Sequence, residues 1–433
     1  MSSFKHVRKY LVPSLLIVIL GISIFAVYQT NLTGNQANVN RDVYVGVAFG
    51  GNTTQEAKTL IDQVKSYTNL FILDAGRNPI SANQSAVEEV CSYAVSNGLS
   101  VIVNMGIKDR TINSSDWNWF WQAQSLNAIK QRWTQMWGNK FLGIYYNDEV
   151  GGTQLDADWA KVMSNWGNMS SRLSRTDYQA YIDMQKVYNE LTNTMTTGVQ
   201  PQNYSVEANF FVQDIVKGDP GMQNLTASGI PIFTSDYGLY WWDYLGGYST
   251  VFAELGWNFS VSEQIAQIKG AARLQDKSWG AMITWTYTDA PYLDSGIQIL
   301  NEMLTSYQAG AKYIAVFNYP YDNGSDYGTL NPRDQLVALQ TFWKDIHLDK
   351  YPDLSAPTAA LVLPQNFGWG MRNPNDTIWG FWITDNRTQQ VAIATSTLLT
   401  QYGASLDILY QDPAFPVTLG GYQHIYYWND TDV

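Results

Sequence analysis

The chain of 433 residues carries 26 Lys and Arg against 38 Asp and Glu, a formal net charge of −12. That balance counts against nucleic acid as a partner, because phosphate contacts need a basic face. A single cysteine, Cys91, leaves no internal disulfide, and three histidines (His6, His347 and His424) leave little for a catalytic triad or a His-based zinc or iron site.

A basic flank (Lys5, Arg8 and Lys9) opens the chain, and a charge-free run from Leu11 to Tyr28 follows. About 18 to 20 apolar residues span a hydrocarbon core as a helix, and the flank places the N-terminus inside. The expected order is a cytoplasmic flank (1–10), a transmembrane signal-anchor (11–28), a polar spacer (29–42) and an extracellular remainder. A cleaved signal peptide is the rival reading. Its apolar core is about 7–15 residues with a small-x-small exit, whereas this run leaves through Phe25-Ala26-Val27-Tyr28. The first 40 residues hold no acid, so beyond the three basic residues of the flank the net charge of −12 becomes −15. Twelve Asn-x-Ser/Thr sequons, at Asn31, Asn52, Asn83, Asn113, Asn168, Asn203, Asn224, Asn258, Asn323, Asn375, Asn386 and Asn429, fit a glycosylated exported chain. Many sequons without disulfides point to an archaeal envelope.

From residue 43 short apolar runs alternate with amphipathic stretches. Strands are expected at 43–49, 70–73, 101–103 and 141–146, with helices at 53–67, 85–96 and about 115–137 between them. Cys91 falls on the apolar stripe of the second helix with Val87, Val90 and Ala94, which reads as a buried thiol. A helical stretch at about 156–195 precedes a fifth strand at 206–212 and a sixth at 231–235. A helix at 262–274, a seventh strand at 280–287, a helix at 296–308, an eighth strand at 312–317 and a closing helix at about 333–346 complete the series. Eight strands with intervening helices are the count of a (β/α)8 barrel over 43–350, with a doubly wound open sheet as the alternative. After a linker at 352–357, strands at 359–363 and 406–410, a helix at 389–402 and a possible third strand at 423–427 read as a small α/β domain of flavodoxin-like character, 358–433.

A barrel gathers its site at the C-terminal ends of its strands. Asp74, Asn104, Asn147, Asp148, Glu149, Glu207, Asp236, Asp289 and Asn318 all fall at or near those ends. Aromatic residues accompany them: Tyr146, Tyr237, Trp241, Trp285 and Tyr287. Flat rings with a polar edge suit sugar faces. With histidine absent from the strand ends, proton transfer falls to carboxylates or tyrosines. There is no phosphate loop and no dinucleotide fingerprint, so no cofactor and no metal are expected.

On these features the chain resembles the (β/α)8 glycoside hydrolases. In the large retaining group an Asn-Glu pair ending strand four supplies the acid/base, and Ile144-Tyr-Tyr-Asn-Asp-Glu149 is similar with an inserted Asp. That group has a Glu nucleophile on strand seven, where this chain has Ile283-Thr-Trp-Thr-Tyr-Thr-Asp289 and no Glu. Other barrel glycosidases pair Asp on strand four with Asp on strand six, which would match Asp148 and Asp236. The last domain is similar to the flavodoxin-like domain that follows the barrel in some β-galactosidases. The resemblance implies paired-carboxylate hydrolysis of a carbohydrate: Glu149 opposite Asp236 or Asp289, with Asp148 turned away because adjacent strand residues point to opposite faces. A non-catalytic glycan-binding or structural envelope protein is the other function that such a barrel admits.

Overall fold

The computed structural model describes residues 42–74, 79–105, 118–121, 125–287, 292–319, 328–418 and 421–430. The expected anchor (11–28), Asn31, Asn113, Asp289 and Asn323 lie outside them. Among the described residues no helix is long and apolar enough to cross a membrane.

Eight strands, β1 (Tyr44–Phe49), β2 (Leu70–Leu73), β3 (Ser100–Asn104), β4 (Phe141–Tyr145), β5 (Ile232–Asp236), β6 (Thr250–Leu255), β7 (Ser278–Ile283) and β8 (Tyr313–Asn318), pair in chain order. All neighbours are parallel, and β1 meets β8 from Tyr44↔Tyr313 to Phe49↔Asn318, which closes the barrel. The runs are apolar on both faces, as strands covered inside and out must be. One parity fills the lumen: Ala48, Leu70, Ile72, Ile102, Tyr145, Phe233, Phe252, Met282, Tyr313 and Ala315 form one cluster. The other parity, including Val47, Phe71, Val103, Ile144, Val251 and Ile283, packs with the helices.

The expected strand at 206–212 is instead a helix, Ser205–Asn209, which continues as a π-helix over Phe210–Val216. Its apolar residues follow a helical stripe that buries Ala208, Phe211 and Val212 against the helix layer. A strand that the sequence reading passed over, β6, lies just after Gly246 and Gly247 and carries a buried acid, Glu254, inside its apolar run. The two differences cancel, so the count stays at eight: the expected sixth strand is β5, β6 follows it, and the expected seventh and eighth strands are β7 and β8.

After the barrel, β9 (Ala359–Leu363), β10 (Leu406–Tyr410) and β11 (His424–Tyr427) form a parallel sheet in the order β10-β9-β11. Residues 41–433 form one compact unit. The small sheet is joined to the barrel helix Val261–Leu274 by Asp407, which accepts from Arg273 Nε at 2.7 Å and meets Lys269 Nζ at 3.1 Å.

Candidate functional site

The lumen parity continues past the apolar layers into polar residues. Above Ile72 comes Asp74, above Ile102 Asn104, above Phe233 Ser235, above Phe252 Glu254 and above Met282 Thr284. These side chains therefore converge on the C-terminal mouth. A cavity of about 230 Å³ forms there, with Asp74, Asp148, Glu149 and Glu254 as its acids and Trp257, Trp285, Phe317 and Tyr319 among its walls; Tyr145, Ser235, Met282 and Thr284 complete the lining. Trp285 is the centre of the aromatic wall: it stacks on Tyr292 at 4.8 Å and meets Tyr319 edge-on at 5.9 Å.

Both Asp148 and Glu149 enter the cavity, against the expectation that adjacent residues diverge. The reason is local. β4 ends at Tyr145, and Asn147 (φ 56°) and Glu149 (φ 52°) take left-handed backbone, so strand alternation no longer applies. Such conformations cost of order 1–3 kcal/mol each and persist where surrounding structure fixes them. Here the Glu149 N–H donates to Ser235 O at 3.0 Å and Thr234 Oγ1 donates to Asn147 O at 2.8 Å.

The acids are linked. Ser235 Oγ bonds Asp148 Oδ1 at 2.9 Å and also Glu254 Oε1. Tyr145 OH donates to Asp148 Oδ1 and lies 2.6 Å from Ser235 Oγ. One hydroxyl proton cannot serve two carboxylates; Tyr145 already donates to Asp148, so the Ser235 proton serves Glu254 and leaves the Glu254 acid proton for Glu149. Glu149 and Glu254 are themselves hydrogen-bonded side chain to side chain, which requires a proton between them. Burial, then the charges of Glu149 and Asp148, push Glu254 well above the usual carboxyl range. Burial, then Asp148, raise Glu149, while its bond from Glu254 opposes the rise. Glu254 is thus the proton holder of the pair. Burial, then Asp148, push Asp74 up to about 7, against the Asn104 amide that donates to it at 2.5 Å.

Several expected site residues are placed elsewhere. Asp236 has the outward parity; its carboxylate accepts from the backbone N–H of Gly151 (2.5 Å), Gly152 (2.8 Å), Tyr237 (2.8 Å) and Gly238 (3.2 Å) and caps the helix Val150–Asp156. Gly152 is required there, since a Cβ would fall 2.1 Å from the Tyr237 ring. Tyr146, also outward, donates to Asp219 among the helices. Tyr237 donates to Asp156 at 2.7 Å under Arg372. Trp241 is buried against Tyr410 and Phe415 of the last domain and does not reach the cavity. Glu207 lies on the helix Ser205–Asn209, Tyr287 donates to Asp294 at 2.9 Å, and Asn318 accepts from Leu330 N at 2.9 Å. Glu254 and Ser235, which bond to the expected acids, were not expected from the sequence, nor were Trp257, Met282, Thr284 and Phe317 of the lining; β6 and the parity of each strand are the signal for the first two. Among the described residues no group of three or more His, Cys, Asp or Glu is arranged to hold a metal ion.

No family model matches the chain, and no curated protein does. Among solved structures the chain is similar to a GH5_18 protein from Bifidobacterium longum subsp. infantis, with TM-score 0.46 and 10% identity over 90% of this chain and 97% of that one. It is similar to GH5_18 from Streptomyces cattleya in complex with GlcNAc, with TM-score 0.48 and 10% identity over 90% and 99%. It is also similar to β-mannanase from the blue mussel Mytilus edulis, with TM-score 0.37 and 8% identity over 70% and 92%. The chain's own topology, eight parallel strands closed in chain order, makes it a (β/α)8 barrel.

Proposed function

We propose that the protein is a glycoside hydrolase in which Glu254 is the general acid and Glu149 its partner carboxylate. The observation that carries this reading is the hydrogen-bonded Glu149–Glu254 pair, with Asp148 beside it, in an aromatic-walled cavity at the barrel mouth. Glycoside cleavage needs one carboxyl kept protonated and another kept ionised. A glycosidic oxygen entering the cavity would replace Glu149 as acceptor of the Glu254 proton. The sugar would have to part the two carboxyls to about 5 Å; the C–O bond to the leaving group then breaks as that oxygen takes the Glu254 proton, and the freed Glu149 carboxylate attacks the anomeric carbon. Trp257 and Trp285 offer ring faces for the apolar side of the sugar.

The site is proposed to work outside the cell. The basic flank and charge-free run 11–28 support an anchor. The nine sequon asparagines among the described residues support export: Asn83, Asn168, Asn203, Asn258, Asn375, Asn386 and Asn429 are exposed, and Asn52 and Asn224 are half-buried. The small last sheet is proposed to be an abbreviated flavodoxin-like unit, because β9 lies between β10 and β11, the 2-1-3 order with which that fold begins.

A panel of aryl glycosides tests the reading. The protein should hydrolyse at least one of them. Glu254→Gln and Glu149→Gln should each lower the rate by about 10²–10⁴-fold, with sugar binding retained in calorimetry. Binding without turnover across the panel would instead favour a glycan-binding surface protein.

A further inference from the structure

Acidic side chains meet one another again far from the cavity, in the helical excursion between β4 and β5. The helix Tyr178–Thr197 packs along Ser205–Asn209 and its π-helical continuation Phe210–Val216. Asp183 and Glu190 are seven residues, about two turns, apart on the first, and Glu207 and Asp214 are also seven residues apart on the second. Asp183 meets Asp214, and Glu190 meets Glu207, side chain to side chain. The helices therefore run antiparallel and carry two carboxyl–carboxyl rungs on their shared seam. Glu207 is 1% exposed, Asp183 4% and Asp214 6%. Neither Glu207 oxygen nor Glu190 Oε2 receives a hydrogen bond of ordinary geometry among the described residues, and the Trp382 indole that faces Glu207 eases its burial only in part. Two carboxylates cannot hydrogen-bond, whereas an acid facing a carboxylate can.

Little positive charge relieves the rungs. Glu207 faces Glu190, Tyr204 on the preceding turn and the Trp382 indole from the last domain; Asp385 and Arg387 lie beyond Tyr204. Asp214 faces Asp183, with Asp177 and Lys186 near it. Lys186 and Gln179 both donate to Asp183. Burial, then Glu190, push Glu207 up to about 9, and burial, then Asp183, push Asp214 up to about 7. At Asp183 burial is outweighed by the Lys186 and Gln179 donors, so that carboxyl stays below its usual range. Each rung thus has a proton holder, Glu207 or Asp214.

We propose that these two rungs form an acid latch: one proton in each keeps the excursion closed on the barrel and the last domain, and a rise in pH releases it. Release would be felt at both neighbours. Trp159 packs on Phe381 at 4.3 Å, Phe211 on Trp379 at 5.7 Å, and Arg387 Nη1 donates to Gln202 O at 3.0 Å. The excursion also begins at the helix Val150–Asp156, directly after Glu149.

The sign follows from the raised values. The stability from each rung is complete below about pH 4, where unfolded carboxyls are protonated too. It is lost as pH rises, through about 7 for Asp214 and about 9 for Glu207. One linked proton changes the folded-to-unfolded ratio by up to about tenfold per pH unit. Glu207→Gln and Asp214→Asn replace each acid proton with an amide N–H that cannot titrate. Thermal unfolding and limited proteolysis of the full chain, from about pH 4 to about pH 9, should show cleavage within 157–216 rising with pH in the wild type. In the double variant that rise should be flattened. Parallel pH curves for the two proteins, or cleavage that ignores pH in the wild type, would overturn the proposal. Should the double variant fail to fold, Glu190→Gln with Asp183→Asn places the amides on the opposite helix and must flatten the same curve.

Discussion

Asp148 is a charge that three cavity acids feel. Burial is the larger cause in each case, but Asp148 also raises Asp74, Glu149 and Glu254. Asp148→Asn removes one negative charge, so all three values fall and Glu254 loses its proton at lower pH. The alkaline limb of the pH profile of kcat/KM should therefore move to lower pH, and a limb that stays in place would separate Asp148 from the acid. This coupling was half legible in the sequence. Asp74, Asp148 and Glu149 stand out as acids at strand ends, but which neighbours share their cavity depends on strand parity. Tyr145 and Ser235 face the lumen, while Tyr146 and Asp236, one position further on, face the helices. A one-residue step reverses the face, and short runs such as Ile144-Tyr145-Tyr146 are apolar on both sides, so nothing in composition marks the inward residue.

At the scale of elements, composition misleads in two places, each for a physical reason. The stretch 206–212 is rich in strand-forming residues, yet it is helical because its apolar side chains find a helix layer to fill. β6 is a strand despite Glu254, because that acid projects into a polar cavity where Ser235 and Glu149 bond it. The aromatic run of the Tyr240–Gly246 helix, expected among the site's ring walls through Trp241, serves instead as the joint with the last domain. Trp242 is 1% exposed, with Trp379 at 4.6 Å and Tyr410 at 4.5 Å. Trp242→Ala should cost about 3–5 kcal/mol, read from the denaturant midpoint. Asp236→Asn tests the cap in the same way. Weakening the acceptor of four backbone N–H groups should destabilise by about 1–3 kcal/mol, while turnover per folded molecule stays near wild type. A collapse of turnover at unchanged stability would return Asp236 to the catalytic set.

For the whole molecule, the eight-strand rhythm from residue 43 was legible because a parallel barrel repeats one unit, and miscounting one strand while missing another leaves the closed architecture intact. The address of the molecule rests on features that no packing explains. A charge-free run behind a basic flank has little use in a protein whose core is already complete from β1 onward. Acid at net −15 beyond residue 40 and sequons spread over the surface suit a hydrated exterior. If that reading holds, protease added outside intact cells should digest the chain beyond residue 43, and the same protease on the cytoplasmic side should leave it whole. Exposed Asn83, Asn168, Asn203, Asn258, Asn375, Asn386 and Asn429 should carry most of the glycan mass, and replacing any of them with Gln should lower the mass by one glycan without unfolding the barrel. Mature chain beginning after Tyr28 and free in the medium would remove the anchor and keep the export. Unmodified chain protected from outside protease would remove both, because neither the sequons nor the acidic surface would then have met the exterior.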